Sequence, residues 1–91
     1  WLIDGRGGEA DPEKGFAWLK RAAESGNVAA QNRVAKLYRA GIGTEADHVL
    51  AAAWYLLARR AGLMDPLMED FLLGLTEETI QEAEKRVEGL Q

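Results

Sequence analysis

The chain has 91 residues, of which 47% are hydrophobic and 29% charged, and it contains no cysteine. This composition is too apolar for a disordered chain and too charged for a membrane-spanning one, and the lack of cysteine excludes disulfides, thiolate metal sites and cysteine nucleophiles. The net charge of −4 disfavours non-specific binding to nucleic acid or to an anionic membrane. One small globular domain is therefore expected.

Helix-capping signals divide the chain into five predicted helices, and no segment alternates apolar and polar residues in the way a strand requires. Each predicted helix begins after a residue whose side chain can cap the free backbone N–H groups, and most end before a glycine. The predicted N-caps are Asp11, Asn27, Asp47, Asp65 and Thr76. The predicted helices cover about residues 12–25, 28–40 and 48–61, a shorter stretch from 66 to near Gly74, and a last one from 77 nearly to the end.

The sequence also contains an internal repeat. When it is shifted by 36 residues, positions 1–26 align with 37–62 and nine of the 26 pairs are identical, where chance would give about two at ordinary composition. The identical pairs are Gly5/Gly41, Gly7/Gly43, Glu9/Glu45, Ala10/Ala46, Asp11/Asp47, Ala17/Ala53, Trp18/Trp54, Ala22/Ala58 and Gly26/Gly62. Since glycine and aspartate fall at predicted helix ends and alanine and tryptophan inside the helices, the repeat predicts stacked helix pairs.

The spaced residues of this repeat resemble a known family. They are Gly5, Gly7, Asp11, Ala17-Trp18-Leu19, Ala22-Ala23, Gly26-Asn27 and Ala30-Gln31 in the first stretch, and Leu37-Tyr38, Gly41, Gly43, Asp47, Ala53-Trp54-Tyr55, Ala58 and Gly62 in the second. This pattern resembles the SEL-1-like repeat, a relative of the tetratricopeptide repeat. The resemblance implies a right-handed α/α superhelix whose inner face binds other proteins. Members serve as adaptors and scaffolds in signalling, envelope organisation and protein quality control.

The resemblance suggests a division of the chain into two parts. Residues 1–62 would hold SEL-1-like repeats, the first of them lacking its first helix. Residues 63–91 would form a degenerate repeat and a C-terminal cap, since residues 27–36 shifted onto 63–72 give no identity. The chain is accordingly expected to be the C-terminal part of a longer repeat protein. The absence of cysteine suits bacterial cytoplasm and periplasm equally, so the compartment is left open.

No constellation in the sequence points to catalysis or to a cofactor. His48 is the only histidine, and neither a matching nucleophile nor a second histidine for a metal accompanies it. The glycine-rich loops near Gly5 and Gly41 lack the pattern of a phosphate-binding loop. Neighbouring acids such as Glu69-Asp70 point about 100° apart on a helix and do not converge on a cation. A non-enzymatic protein with no cofactor or metal is predicted.

The second predicted helix carries the candidate binding residues. Arg33, Lys36 and Arg39 follow one another around one side of this helix, with Asn32 beside them. The resemblance places the first helix of each pair on the concave face. The predicted function is therefore a protein-protein interaction module that receives an acidic or carbonyl-rich segment of a partner, although a merely solvated face would show the same pattern.

Self-association is the alternative function. Residues 1–62 hold nine basic and seven acidic residues, whereas residues 63–91 hold two and eight, so the two parts of one copy could attract their opposites in another. Apolar residues at the open end of the stack, Trp1-Leu2-Ile3 and Trp18, would then be covered by a second chain.

Overall fold

The computed structural model describes residues 11–90, which form five α-helices and no strands. Trp1, Leu2 and Ile3, which the self-association hypothesis invokes, lie outside these described residues, as do Gly5 and Gly7. The helices are α1 (Pro12–Glu24), α2 (Val28–Ala40), α3 (His48–Arg60), α4 (Pro66–Leu73) and α5 (Glu77–Leu90). The all-α class predicted from the capping pattern is confirmed.

Side-chain caps explain where the helices begin. The carboxylate of Asp11 accepts hydrogen bonds from two backbone N–H groups of the first turn of α1. Asn27 and Asp47 cap α2 and α3 in the same way, at 3.0 Å in both cases. Each cap satisfies donors that have no partner inside the helix, which contributes about 1 kcal/mol per helix. The helix starts are therefore local properties of the sequence.

Two glycines of the α2–α3 connection have different tasks. Gly41 ends α2 in the left-handed conformation, with φ of 71°, and its N–H bonds to the Leu37 carbonyl. Gly43 also has positive φ, of 76°, but a β-carbon there would overlap the carbonyl of Pro12 and the side chain of Phe16. The connection therefore packs directly onto the first turns of α1, which only glycine permits.

Helix α3 is the centre of the molecule because it is buried on opposite sides. One side packs with α1 and α2 around Trp54 and Tyr55. The other side presents Ala52 and Ala53 to Ala83 and Val87 of α5. Small side chains on this second side allow the two helix backbones to approach closely. A helix with two apolar sides is what a stack of repeats requires of its inner units.

The pair α1–α2 is joined by an aromatic contact. The rings of Phe16 and Tyr38 meet edge to face, with centroids 5.1 Å apart and planes at 87°, an arrangement that aromatic quadrupoles favour. Helix α3 packs against α2 on one side and α5 on the other, while α4 contacts α2 at its first residues. Helix α2 thus contacts both α1 and α3, and α3 contacts both α2 and α5.

Candidate partner-binding surface

The four residues predicted to bind a partner have unequal environments on α2. Arg33 is exposed and has no ion pair among residues 11–90. The side chain of Lys36 is 40% exposed. Asn32 is buried, at 9% exposure, and Arg39 is half-buried with an Nε that has no hydrogen-bond partner within the described chain. The four residues follow one another around one side of α2, but only some of them are open to solvent.

Asn32 and Lys36 converge on the carboxylate of Asp65, which the sequence predicts only as a helix cap. Asn32 Nδ2 donates to Asp65 Oδ2 at 3.0 Å, and Lys36 Nζ lies 2.7 Å from the same oxygen. The other oxygen of Asp65 accepts from the Leu67 N–H and caps α4. The hydrogen bond from Asn32, then that from Lys36, lower the pKa of Asp65 to about 2. Asp65 therefore stays ionised and holds α4 against α2.

A second polar contact holds α4 against α3. The Tyr55 hydroxyl accepts from the Asp65 backbone N–H at 3.0 Å and donates to the Glu69 carboxylate. Glu69 also lies 3.2 Å from Nε of Arg59. Burial of the phenol, together with the Glu69 carboxylate, raises the pKa of Tyr55, since both disfavour a phenolate. The short helix α4 is thus tied to both of its neighbours.

The sequence pattern does not predict that Tyr55 and Glu69 belong to this network. The sequence predicts Asp65 as an N-cap before Pro66, but it does not predict the contact with Asn32, which is 33 residues away. The sequence marks Tyr55 only as a residue of the repeat pattern. A periodic pattern identifies which side of a helix is apolar, but it does not show which polar residues of two distant helices meet.

Next to Lys36 the surface forms a groove between α1 and α2. Its volume is about 300 Å³, and it is lined by Leu19 of α1 and by Arg33, Lys36 and Leu37 of α2. We call this the α1–α2 groove. The two leucines are half-buried and pack on the core, while the two cations stand at the rim. An apolar floor with a basic rim can hold an apolar side chain whose neighbours are acidic.

His48, the histidine considered as a catalytic candidate, packs against a neighbouring helix. The ring of His48 packs edge to face on Phe71, with centroids 5.5 Å apart, and thereby links the start of α3 to α4. Within residues 11–90, no group of three or more His, Asp or Glu side chains is placed to hold a metal ion. None of the helices in this range is long and apolar enough to cross a membrane.

A stack of helix pairs with a groove on its α2 side defines an all-helical repeat protein of the tetratricopeptide-like class. The family model of the Sel1 repeat matches residues 1–27 and 28–63, and the chain belongs to the Sel1 repeat family. The second matched segment contains α2 and α3 and is as long as the 36-residue period. No curated protein matches the chain. Sel1 repeats form helical solenoids and are generally protein-protein interaction modules, not enzymes.

Proposed function

We propose that this chain is a non-enzymatic adaptor or scaffold module that binds an acidic protein segment in the α1–α2 groove. The observation that carries the proposal is the composition of the groove, in which Arg33 and Lys36 flank an apolar floor made by Leu19 and Leu37. The preferred segment has one bulky apolar side chain with aspartate or glutamate on either side, because the apolar side chain fills the floor and the acids meet the rim.

Arg33 supplies the main charge in this proposal. Its guanidinium is exposed and has no ion pair within residues 11–90, so binding a carboxylate there replaces water without breaking an ion pair of that range. Lys36 already faces Asp65, but an ammonium group has three N–H donors and can hold a second carboxylate. Arg39 extends the basic surface by one turn of α2, since it lies three residues beyond Lys36.

Asn32 acts as a positioning residue in this proposal. Its side chain is too buried to reach a partner, but it shares the Asp65 carboxylate with Lys36. By fixing that carboxylate, Asn32 fixes the direction in which Lys36 extends. Loss of Asn32 should therefore weaken partner binding through Lys36 as well as lower the stability of the fold.

We also propose that residues 1–62 are the repeat part of the chain and that residues 63–91 close it. Two features support this division. Helix α4 is shorter than the other helices, with eight residues against 13 in α2. The outer side of α5 exposes polar residues such as Glu84, Lys85 and Glu88. A unit that closes a stack needs such a polar outer side because water contacts it.

Selection of random peptides displayed on phage, with the purified chain as bait, tests the proposed partner class. The selected peptides should share a leucine or phenylalanine flanked by acids. Binding of a selected peptide, measured by fluorescence anisotropy, should weaken about tenfold in Arg33→Glu and should fall with added salt. The matched control is Arg60→Glu, because Arg60 is an exposed arginine on α3, away from the groove.

Two results would count against the groove as the binding site. One is a selected consensus without acidic residues. The other is an Arg33→Glu variant that binds the selected peptide as tightly as the Arg60→Glu control does.

A further inference from the structure

Helix α4 lies outside the main packing of the molecule. Within residues 11–90, the extensive helix packings join α1 to α2, α2 to α3 and α3 to α5. In the last of these, two alanines of α3 lie directly against Ala83 and Val87 of α5, although α4 separates the two helices in sequence. The backbone packing of α5 on α3 therefore bypasses α4.

The apolar contacts of α4 are few for a helix of eight residues. Met68 alone is buried, Phe71 and Leu72 are half-buried against the core, and Leu67 and Leu73 are exposed. Non-helical connections, residues 61–65 and 74–76, flank the helix, and such connections can take up the backbone rotation of a hinge. Since a local opening costs less free energy when it exposes little apolar surface, α4 can open more easily than the core helices.

Two ion pairs hold α4 in place, and both reach solvent. Asp65 lies 2.7 Å from Lys36 of α2, and Glu69 lies 3.2 Å from Arg59 of α3. The side chains of the two cations are 40% and 45% exposed, so dissolved ions and other carboxylates can reach them. We call these two pairs the α4 latch. Since the latch is made of charges near the surface, its strength depends on the surrounding solution.

We infer that α4 is a hinged helix, which opens as a unit while the other described helices stay packed, and that the α4 latch controls how often it opens. In the open state Met68 leaves the core and Lys36 loses its carboxylate partner. An external carboxylate bound to Lys36 competes with Asp65 and therefore favours the open state. Helix α4 is thus a conformational device that responds to anions at its latch.

The α4 latch shares Lys36 with the α1–α2 groove. A partner carboxylate at the groove rim and the Asp65 carboxylate then contact one ammonium group, and the two negative charges repel each other. Partner binding therefore loosens α4, and by reciprocity a closed α4 weakens partner binding. This coupling rests on the proposed function, whereas the hinge itself does not.

Hydrogen–deuterium exchange followed by mass spectrometry tests the hinge in the unmodified chain. Amides within α4 should exchange at least about tenfold faster than amides within α3, because α4 opens without global unfolding. Raising the salt concentration from about 0.05 M to about 1 M should speed exchange in α4 about threefold relative to α3. Equal exchange rates in the two helices, or a rate in α4 that does not respond to salt, would overturn the inference.

Lys36→Met tests the latch, because methionine keeps an unbranched apolar side chain and removes the ammonium group. It should speed exchange in α4 about fivefold with little change in α3 or α5, and Lys36→Arg should restore slow exchange. The matched control is Arg33→Met, which should leave α4 unchanged, since Arg33 is on the same helix and has no ion pair within residues 11–90. Equal acceleration of α3 and α4 in Lys36→Met would indicate general destabilisation and would contradict the hinge, as would an unchanged α4.

A peptide selected for the α1–α2 groove tests the coupling separately. At saturation it should speed exchange in α4 about threefold, and Asp65→Asn, which removes the competing charge, should bind it about threefold more tightly. The control is Asp70→Asn, which removes an exposed acid elsewhere on α4 and should leave the affinity unchanged. Unchanged exchange in α4 at saturation would refute the coupling and leave the proposed function standing. If no peptide binds, the proposed function fails, and the salt and Lys36→Met experiments still decide the hinge.

Discussion

Asn32 Nδ2 and Asp65 Oδ2 lie 3.0 Å apart and join α2 to the start of α4 across 33 residues of sequence. Asn32 is buried, and Lys36 neutralises the same carboxylate from its more exposed side. The contact therefore combines a neutral donor beneath the carboxylate with a cation above it. Such an arrangement tolerates the loss of the neutral donor better than the arrival of a second negative charge.

Substitution of Asn32 tests this difference. Asn32→Ala removes one hydrogen bond and should lower the free energy of unfolding by about 1 kcal/mol. Asn32→Asp places an uncompensated charge beside Asp65 and should lower it by about 3 kcal/mol. Urea denaturation of both variants at neutral pH makes the comparison. Equal stabilities of the two variants would contradict the expected repulsion between a carboxylate at position 32 and Asp65.

The depressed pKa of Asp65 predicts a loss of stability in acid. Its folded-state pKa of about 2 lies below its ordinary value of 3.8, so the unfolded chain takes up the proton first. The stabilisation from ionised Asp65 is complete above the ordinary pKa and is lost as the pH falls through about 2.

The matched comparison is Asp65→Asn, which keeps a capping oxygen but cannot ionise. Urea denaturation of both proteins at a series of pH values separates Asp65 from the other carboxylates, which titrate in both. The stability difference between them should be constant above the ordinary pKa and should shrink toward pH about 2. A difference that does not change with pH would mean that Asp65 is not stabilised in its ionised form.

Gly43 and Gly15 form a matched pair of glycines. Gly43→Ala places a β-carbon against Pro12 and Phe16 at positive φ and should cost at least about 2 kcal/mol. Gly15 lies within α1, and a β-carbon there meets no atom within 4 Å. Gly15→Ala should therefore raise stability by about 0.5 to 1 kcal/mol through helix propensity. Thermal unfolding followed by circular dichroism measures both, and a tolerated alanine at position 43 would contradict the close packing of the α2–α3 connection.

The two repeat tryptophans should respond oppositely to truncation. Trp54→Ala leaves a cavity in the core and should lower the free energy of unfolding by about 3 to 5 kcal/mol. Trp18→Ala changes an exposed side chain and should alter it by no more than about 0.5 kcal/mol. Chemical denaturation provides the measurement. Similar losses in both variants would mean that Trp18 is covered in the isolated chain.

The helices and their order could be predicted because the signals that specify them are local. Asp11, Asn27 and Asp47 cap the helices that follow them, and each cap acts within three residues of its own position. The family was identifiable for a related reason. Glycine, alanine and tryptophan recur at a fixed period, and the matched segments 1–27 and 28–63 agree with that recurrence.

The candidate surface was predictable only in part. Arg33 and Lys36 were recognised as neighbours on one side of α2, since a helix places residues three apart together. That Leu19 of another helix completes the α1–α2 groove depends on how α1 packs against α2. The repeat predicts a glycine at position 43, but the contact of Gly43 with the start of α1 depends on how the α2–α3 connection packs.

The sequence by itself determined the helix starts, the repeat period, the family and the absence of thiol chemistry, all of which follow from local geometry or composition. Only the tertiary structure decided that Asn32 is buried beneath Asp65, and that Trp54 is in the core while Trp18 is on the surface. The physical reason is that burial depends on neighbours brought together by folding. Two residues with the same position in a repeat can therefore have opposite environments.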